Sequence, residues 1–336
     1  MKFDWNDIVI VHEVLSEISS RSEINPYYSN GKLPVFTAPM DMVIDENIAY
    51  YFYDNRLNIC LPRNVKYSNF KNNNYFYSYG LDEIIILLNN NEELPNKILI
   101  DVANGCMQRL YDTSKRIKEN YNVELMIGNI ANPDTFEKYC EIGVDYIRCS
   151  VGTGAACTTA INTAINYPLA SLITECSVIA KRYDNKTKII ADGGFKNYSD
   201  IIKALGLGAH YVMLGSLLSK SIESCSKSYL KGYHGYYQIN DETALRMLNN
   251  GTDVFKYYRG MSTKEVQKAW NKKELKTSEG IAFYNKIEYQ LHKWIENLTD
   301  YMKSNMSYTN SKDLESYIGE VRYELITNNA FLRFNK

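Results

Sequence analysis

The sequence predicts an α/β fold in which eight short parallel strands alternate with helices and close into a TIM (β/α)8 barrel. Three observations lead to this prediction. Short apolar segments recur along the chain, helical segments of about 8–18 residues lie between most of them, and none opens the strand–Gly-x-Gly-x-x-Gly–helix pattern of the competing doubly wound sheet. At 336 residues the chain is long enough for one barrel or two smaller domains. Because no low-complexity linker interrupts it, we expect residues 1–336 to form a single barrel domain.

The predicted elements follow a polar, irregular opening segment that we expect to lie across the outside of the fold. The apolar segments predict strands at 34–41, 57–61, 75–79, 98–101, 125–128, 146–149, 189–191 and 211–214. The segments between them predict helices at 45–54, 106–119, 133–141, 168–183 and 198–206.

The alternation ends after the eighth strand. Residues 220–280 form an insertion, and an insertion of this length at the catalytic face of a barrel more often completes a site than forms an idle loop. We therefore expect a lid or flap there. Residues 281–303 have the pattern of an amphipathic helix, which would begin a helical tail over 281–336.

Composition argues against several classes of protein. The chain has 38 basic and 39 acidic residues, interspersed, so no global field favours nucleic acid or an anionic membrane. Its seven cysteines include no CxxC pair, which is typical of reduced cytosolic thiols, and its four histidines are scattered. No segment approaches the roughly 18 apolar residues of a membrane span. We expect a cytoplasmic protein that binds neither nucleic acid nor a membrane.

Functional groups of such a barrel gather where the strands end. Those ends carry Asp41, Arg63, the segment 101–105, Asn129, the segment 150–159, the segment 192–194 and the pair Gly215-Ser216.

Among these strand ends, the segment 150–159 gives the clearest indication of a catalytic group. Gly152 and Gly154 allow a close backbone approach, and Cys157 follows among small side chains and hydroxyls. A lone cysteine is more often core filling. On a glycine-rich loop after a strand, however, it is placed like a nucleophile.

The ends of the last two predicted strands indicate a phosphate site. Gly193-Gly194 and Gly215-Ser216 fall where barrels commonly hold phosphate with backbone N–H groups. Either pair alone is more often a turn, but two on adjacent strands beside a cysteine loop favour a nucleoside monophosphate. Asp192, just before the first pair, could accept hydrogen bonds from ribose hydroxyls.

Several motifs in this order resemble the IMP dehydrogenase / GMP reductase family over nearly the whole chain. They are Gly152-x-Gly154-x-x-Cys157-Thr158-Thr159, Ile190-Ala191-Asp192-Gly193-Gly194, Val212-Met213-Leu214-Gly215-Ser216, Arg259-Gly260-Met261-Ser262 and Ser278-Glu279-Gly280. The resemblance implies a TIM barrel, usually a homotetramer. It also implies a cysteine that attacks C2 of a purine nucleoside monophosphate while hydride moves to or from a nicotinamide.

The family contains reductases and dehydrogenases, and this sequence resembles the reductases more strongly. The 101–105 segment, the Tyr167-Pro168 pair and the 20–23 segment are similar to reductases. Dehydrogenases of the family carry a longer flap with an Arg-Tyr pair that activates water, whereas the interval between Met261 and Glu279 contains neither residue type. The nucleotide-sensing insert common in dehydrogenases is also absent from this sequence.

Other features look more like the dehydrogenases. They are Ala38-Pro39-Met40-Asp41, Arg148 and Tyr258-Arg259-Gly260. The missing hydrolytic pair weighs more, because a dehydrogenase must release its covalent intermediate to turn over. The sequence therefore predicts NADPH-dependent reduction of GMP to IMP and ammonia.

The family's functional residues map onto matching positions here. Catalysis is assigned to Cys157, Thr159 and Glu279; substrate binding to Asp192, Gly194, Gly215, Ser216, Met261, Ser262, Ser278 and Ala155; cofactor binding to Asp101 and Arg63; and a potassium ion to backbone carbonyls of Gly152, Gly154 and Cys157.

The sequence departs from the family pattern at three positions. The usual loop is Gly-Pro-Gly-Ser, and Thr153 and Ala155 replace its Pro and Ser, so one phosphate hydroxyl is lost. Arg63 stands where reductases usually have lysine, and it keeps the charge but cannot readily share a proton. Two alternatives stay open: an NAD-dependent IMP dehydrogenase, and a nucleotide-binding member of the family that has lost turnover.

Overall fold

The computed structural model describes residues 1–63, 72–270 and 274–334. The strands are β1 (Ile8–Ile10), β2 (Val35–Thr37), β3 (Cys60–Leu61), β4 (Phe76–Tyr79), β5 (Lys97–Asp101), β6 (Glu124–Ile130), β7 (Tyr146–Cys149), β8 (Lys188–Asp192), β9 (Tyr211–Leu214), β10 (Ser228–Gly232), β11 (Gly235–Ile239), β12 (Val254–Arg259), β13 (Ala282–Lys286) and β14 (Tyr323–Leu325). The helices are α1 (Ala49–Asp54), α2 (Leu81–Asn89), α3 (Gln108–Asn120), α4 (Pro133–Glu141), α5 (Thr159–Thr163), α6 (Leu169–Arg182), α7 (Tyr198–Gly206), α8 (Ser216–Ser219), α9 (Asp241–Asn249), α10 (Lys264–Ala269), α11 (Leu291–Tyr308) and α12 (Asn328–Phe334).

The predicted barrel is confirmed. Strands β2 to β9 form one eight-stranded sheet in the order β2-β9-β8-β7-β6-β5-β4-β3, and every pair in it is parallel. A parallel bridge between Phe36 and Asn58 joins the two ends of this sheet. Each of these strands overlaps the segment predicted for it, because continuous apolar runs are typical of parallel strands buried on both faces.

The barrel interior changes character from one end to the other. Aromatic rings of Phe36, Phe76, Tyr146 and Tyr211 pack edge to face or tilted near its N-terminal end. Two residues further along β7, on the same side of the strand, lies the charged side chain of Arg148. The apolar end is therefore packed core, and the opposite end carries polar groups.

The insertion after β9 has its own architecture. Strands β10 to β13 form a four-stranded antiparallel sheet in the order β11-β10-β12-β13. One face packs on α9 through a small cluster of Ala244, Val254 and Ile287. The other face carries half-buried aromatic rings, among which Tyr236 and Tyr284 stack at 3.8 Å between ring centroids.

One expectation about the C-terminal segment is wrong. Residues 281–290 do not belong to the predicted amphipathic helix: β13 occupies 282–286 as an edge strand, and helix α11 begins at Leu291. Beyond α11, β14 pairs antiparallel with β1 of the opening segment, and the short helix α12 follows. In the described ranges, no helix is long and apolar enough to cross a membrane.

Candidate active site at the open end of the barrel

A cleft of about 470 Å³ opens where the barrel strands end, between them and the insertion. It brings together these residues predicted from the sequence: Arg63, Asp101, Gly152, Gly154, Cys157, Thr159, Asp192, Met261, Ser262 and Glu279. Strand ends and insertion both contribute to its wall. One wall of the cleft is thus formed by the strand ends of the barrel and the other by the insertion.

Five other predicted residues do not line this cleft but lie beside it: Ala155, Gly194, Gly215, Ser216 and Ser278. Gly194 packs against Thr153, and a Cβ at Gly215 would lie 2.7 Å from the hydroxyl of Tyr258. Ser278 donates its hydroxyl to the carbonyl of Gly280 at 2.8 Å.

Cys157, Thr159 and Glu279 form a continuous hydrogen-bonded relay. Cys157 Sγ donates to Thr159 Oγ1 at 3.3 Å, and Thr159 Oγ1 donates to Glu279 Oε2 at 2.6 Å. Thr159 is the first residue of α5, yet its hydroxyl serves Glu279. A proton can therefore pass between thiol and carboxylate through one hydroxyl.

Backbone hydrogen bonds hold the distant Glu279 beside this loop. Thr158 N–H donates to the carbonyl of Glu279 at 2.8 Å, and Ile281 N–H donates to the carbonyl of Ala156 at 3.0 Å. Glycine is required for so close an approach: a Cβ at Gly260 would lie 2.7 Å from Ala156 O. Backbone hydrogen bonds therefore join the insertion to the cysteine loop.

Arg148 lies between two carboxylates at the floor of the cleft. Its Nη1 donates to Asp101 Oδ1 at 2.6 Å, and its Nε and Nη2 donate to Asp192 Oδ2 at 3.0 and 2.8 Å. Asn129 Nδ2 donates to the same Asp192 oxygen at 2.7 Å. Burial by itself would lower the pKa of Arg148, but the carboxylates of Asp192 and Asp101 outweigh it and raise that pKa above its ordinary value. The guanidinium is therefore permanently charged and fixed.

Asp101 also meets a second guanidinium. Arg63 Nη1 donates to the carbonyl of Asp101 at 2.8 Å, and Arg63 Nε lies 3.7 Å from Asp101 Oδ2. Burial lowers the pKa of Arg63, although it stays a strong base. Its guanidinium stacks 3.7 Å from the ring centroid of Trp270, which follows α10 in the insertion. This contact joins the barrel to the insertion.

The flap is braced by Arg259 and Gln267. Arg259 Nη2 donates to Asp41 Oδ2 at 2.7 Å, and its Nε donates to Glu265 at 3.1 Å. Gln267 donates to the carbonyls of Ser262 and Lys276 at 3.2 Å each, and accepts from Lys276 N–H at 2.7 Å. Gln267 thus links the segment at Ser262 to the segment at Lys276 within the insertion.

Sequence reasoning missed the roles of Arg148, Gln267 and Trp270. For Arg148 a signal exists: a charged residue two positions after Tyr146 must share its face of β7, inside the barrel. Gln267 and Trp270 carry no such signal, because the insertion has no repeating pattern to place them. Among the residues described, no cluster of three or more His, Cys, Asp or Glu side chains is arranged to hold a metal ion.

Comparison with known proteins identifies the family. The family model described as "IMP dehydrogenase / GMP reductase domain" matches residues 92–333, which is most of the chain. The chain belongs to the IMP dehydrogenase / GMP reductase family. The resemblance noted from the motifs is therefore confirmed.

Individual relatives agree with this assignment. The chain is 31% identical to inosine-5'-monophosphate dehydrogenase of Bacillus subtilis (strain 168) over 238 residues, covering 68% of this chain and 44% of that protein. It is 30% identical to inosine-5'-monophosphate dehydrogenase of Cryptosporidium parvum over 239 residues, covering 68% and 54% respectively. The protein of that name from Staphylococcus aureus (strain Mu50 / ATCC 700699) is 30% identical over 227 residues, covering 67% and 44%. This chain spans about half the length of these curated relatives.

Proposed function

We propose that this protein catalyses the NADPH-dependent reductive deamination of GMP to IMP and ammonia through a covalent Cys157 intermediate. One observation carries the proposal: the relay from Cys157 through Thr159 to Glu279 ends on a carboxylate of the flap. A carboxyl group in that place can protonate a leaving amine.

The nucleotide would lie between the cysteine loop and the insertion. Asp192 would accept from the ribose hydroxyls, and the phosphate would lie towards Gly194, Gly215, Ser216 and the loop containing Ala155. The backbone of Met261 and the side chains of Ser262 and Ser278 would face the purine. Of these, Asp192, Met261 and Ser262 line the same cleft as Cys157, which supports the arrangement.

The thiol and the relay act first. The Cys157 sulfur forms a bond to C2 of guanine, and its proton passes through Thr159 to Glu279. The protonated Glu279 then returns a proton through Thr159 to the exocyclic amine. The C2–N bond breaks, ammonia leaves, and C2 remains joined to sulfur as a thioimidate.

The residues at the other side of the cleft fit a nicotinamide cofactor. Asp101 lines the same cleft, and its carboxylate could accept hydrogen bonds from the ribose hydroxyls of a cofactor. Arg63 Nε is buried and has no hydrogen-bond partner in the described part of the chain, so it can donate to a ligand. A nicotinamide cofactor bound there would supply a hydride to C2. Cys157 would then leave C2 as a thiolate, and the product carrying hydrogen at C2 would be IMP.

The flap supports reduction over hydrolysis. A dehydrogenase must hydrolyse its thioimidate, and residues 262–278 contain no arginine or tyrosine to activate water. The neighbouring Tyr258 and Arg259 lie just outside this interval: Tyr258 lines the cleft and its hydroxyl contacts Met40 Sδ at 3.5 Å. Arg259 pairs with Asp41 through Nη2 and with Glu265 through Nε, and among the described residues its buried Nη1 has no hydrogen-bond partner.

The second candidate is an NAD-dependent IMP dehydrogenase that forms XMP. The names of the relatives favour it, since those compared above are inosine-5'-monophosphate dehydrogenases. It would need a base for water other than an Arg-Tyr pair in the flap.

Three further features belong to the proposal through the family resemblance. They are a homotetramer, a cytoplasmic location and a potassium ion held by carbonyls of Gly152, Gly154 and Cys157. The Gly154 carbonyl already accepts from Cys157 N–H at 2.9 Å, so an ion would have to share it.

The deciding experiment compares two reactions of the purified protein. GMP with NADPH, and separately IMP with NAD, are followed at the nicotinamide absorbance, and the products are separated chromatographically. We expect IMP and ammonia from the first mixture, with deuterium at C2 of IMP when the cofactor carries deuterium on the transferred position. Steady formation of XMP at rates above GMP reduction would overturn the proposal in favour of the dehydrogenase.

A further inference from the structure

We propose that Thr153 is a positioning residue whose hydroxyl holds the cysteine loop so that Cys157 faces the bound nucleotide. The inference rests on the proposed function in two respects: it takes Cys157 as the nucleophile and Asp192 as the ribose acceptor. It holds for either direction of the reaction. Because Thr153 stands where the family usually has proline, the contact belongs to this chain's own sequence.

One side-chain hydrogen bond joins the middle of the cysteine loop to the end of β8. Thr153 Oγ1 donates to the backbone carbonyl of Asp192 at 3.2 Å. The two segments also touch there: a Cβ on Gly193 would lie 3.3 Å from Cα of Gly154, and a Cβ on Gly194 would lie 3.4 Å from Cβ of Thr153. The hydroxyl therefore fixes how two touching segments lie against each other.

The two ends of the cysteine loop are held without Thr153. At the start of the loop, Ser150 N–H donates to the carbonyl of Ile130 at 2.8 Å. At its end, Thr158 N–H donates to the carbonyl of Glu279 at 2.8 Å. Strand β6 and the insertion thus anchor the ends, and the middle of the loop needs a contact of its own.

The middle of the loop depends on Thr153. Within the described ranges, residues 151–155 make a single hydrogen bond to another segment of the chain, the one from the Thr153 hydroxyl. The carbonyl of Gly154 accepts from Cys157 N–H at 2.9 Å inside the loop. The position of Cys157 therefore follows the position of the segment that Thr153 holds.

Asp192, in contrast, does not need Thr153. Its Oδ2 accepts from Arg148 Nε and Nη2 at 3.0 and 2.8 Å, and from Asn129 Nδ2 at 2.7 Å. These bonds come from β7 and β6 and hold the carboxylate from the barrel side. Loss of the Thr153 hydroxyl should therefore release the cysteine loop and leave the ribose acceptor in place.

This asymmetry predicts which kinetic quantity changes. Bond formation between the sulfur and C2 requires the two atoms to be held near contact distance, and a displacement of about 1 Å can cost on the order of 10²-fold in rate. A loosened loop holds the thiol at that distance for less of the time. The nucleotide should still bind, but it should react more slowly.

The test compares two variants at the same position. Thr153→Val keeps the branched shape and removes the hydroxyl, whereas Thr153→Ser keeps the hydroxyl and removes the methyl group. We expect Thr153→Val to lower kcat about 10-fold or more, with the dissociation constant of GMP from calorimetry within a few-fold of the wild type. Thr153→Ser should keep kcat within a few-fold of the wild type.

Thr174→Val is the matched control. Its hydroxyl also donates to a backbone carbonyl, that of Ala170 at 2.9 Å, but it lies within α6 and outside the cysteine loop. This variant should keep the kcat of the wild type. A fall equal to that of Thr153→Val would show that loss of any such hydroxyl suffices, and would overturn the inference.

Hydrogen exchange measured by mass spectrometry gives a readout that needs no turnover. In Thr153→Val the amides of residues 150–158 should exchange faster than in the wild type, while those of β8 stay unchanged and Thr153→Ser behaves as the wild type. Should Thr153→Val fail to fold, Thr153→Ala removes the same hydroxyl and carries the same expectations.

Three results would contradict the inference. They are a kcat for Thr153→Val equal to that of the wild type, a Thr153→Ser variant as slow as Thr153→Val, and a loss of GMP affinity as large as the loss of kcat. Each of them can occur while GMP is reduced, and then the inference alone fails. XMP formation from IMP and NAD, slowed by Thr153→Val and preserved by Thr153→Ser, overturns the proposed function alone.

Discussion

The two walls of the candidate site are built differently. Asp101, Arg148 and Asp192 stand on barrel strands whose neighbours are fully buried, and Arg148 holds both carboxylates. Glu279, Gln267 and Trp270 stand on the insertion, where many contacts are single hydrogen bonds or ring contacts. The barrel wall is a rigid platform, and the insertion wall is held to it at a few points.

This difference separates two kinds of task. Under the proposed function, the binding groups and the nucleophile loop extend from strands, where packing fixes the position of the backbone. The group that would exchange protons, Glu279, comes from the insertion. We therefore expect changes in the barrel wall to affect binding or to abolish the chemistry, and changes in the insertion wall to affect mainly turnover.

The largest effect should come from Cys157→Ala. Removing the nucleophile should lower turnover by at least about 10⁴-fold, because no covalent intermediate can form. GMP binding, measured by calorimetry, should stay within a few-fold of the wild type, since the phosphate and ribose contacts are untouched. Substantial residual turnover would refute covalent catalysis at this loop.

The second largest effect should come from Glu279→Gln, which should slow one step of the reaction. GMP deamination should fall by roughly 10²–10⁴-fold, the usual loss when a general acid is removed. A slow single-turnover hydride transfer from IMP to NADP⁺ should survive, because that direction forms the thioimidate before ammonia is needed. Rapid-quench measurement of both directions checks this, and equal losses in both would give Glu279 a structural role instead.

Gln267→Ala tests the insertion wall without touching the chemistry. This side chain makes three hydrogen bonds between the two limbs of the flap. Losing them should misplace Glu279 and lower kcat by about 10-fold, while the affinity for GMP changes less. Lys268→Ala, exposed on the same helix, is the control and should behave as the wild type. A change in GMP affinity larger than the change in kcat would contradict the division between the two walls.

The smallest effect should follow Ala155→Ser in the cysteine loop. A restored hydroxyl should tighten GMP binding by about 0.5–1.5 kcal/mol, the net value of one hydrogen bond. Titration with GMP and with guanosine separates the phosphate contribution, since only GMP should gain. Equal gains for both ligands, or none, would place the phosphate elsewhere or show that the loop has adapted around alanine.

The sequence by itself determined the barrel, its strand order in the chain and the cysteine loop. Parallel strands buried on both faces require apolar runs such as 98–101 and 189–191, and those runs can be recognised locally. Polar residues that follow strands were expected at the cleft, and Asp101 and Asp192 line it, whereas Asp41 does not. Glu279 was found only because its flanking serine and glycine resemble those of a family.

The tertiary structure alone decided how these groups pair. Nothing in the spacing of Asp101, Arg148 and Asp192 says that one guanidinium holds both carboxylates, because that depends on which strands become neighbours across a closed barrel. The structure of the insertion was still harder to predict from the sequence. Its antiparallel strands are short, and the sequence of edge strand β13 predicts the start of a helix where the structure has a strand. A local sequence pattern predicts a helix or strand only where burial requires a regular spacing of apolar residues. At the mouth of the barrel, the contacts that decide the structure come from residues distant in the sequence.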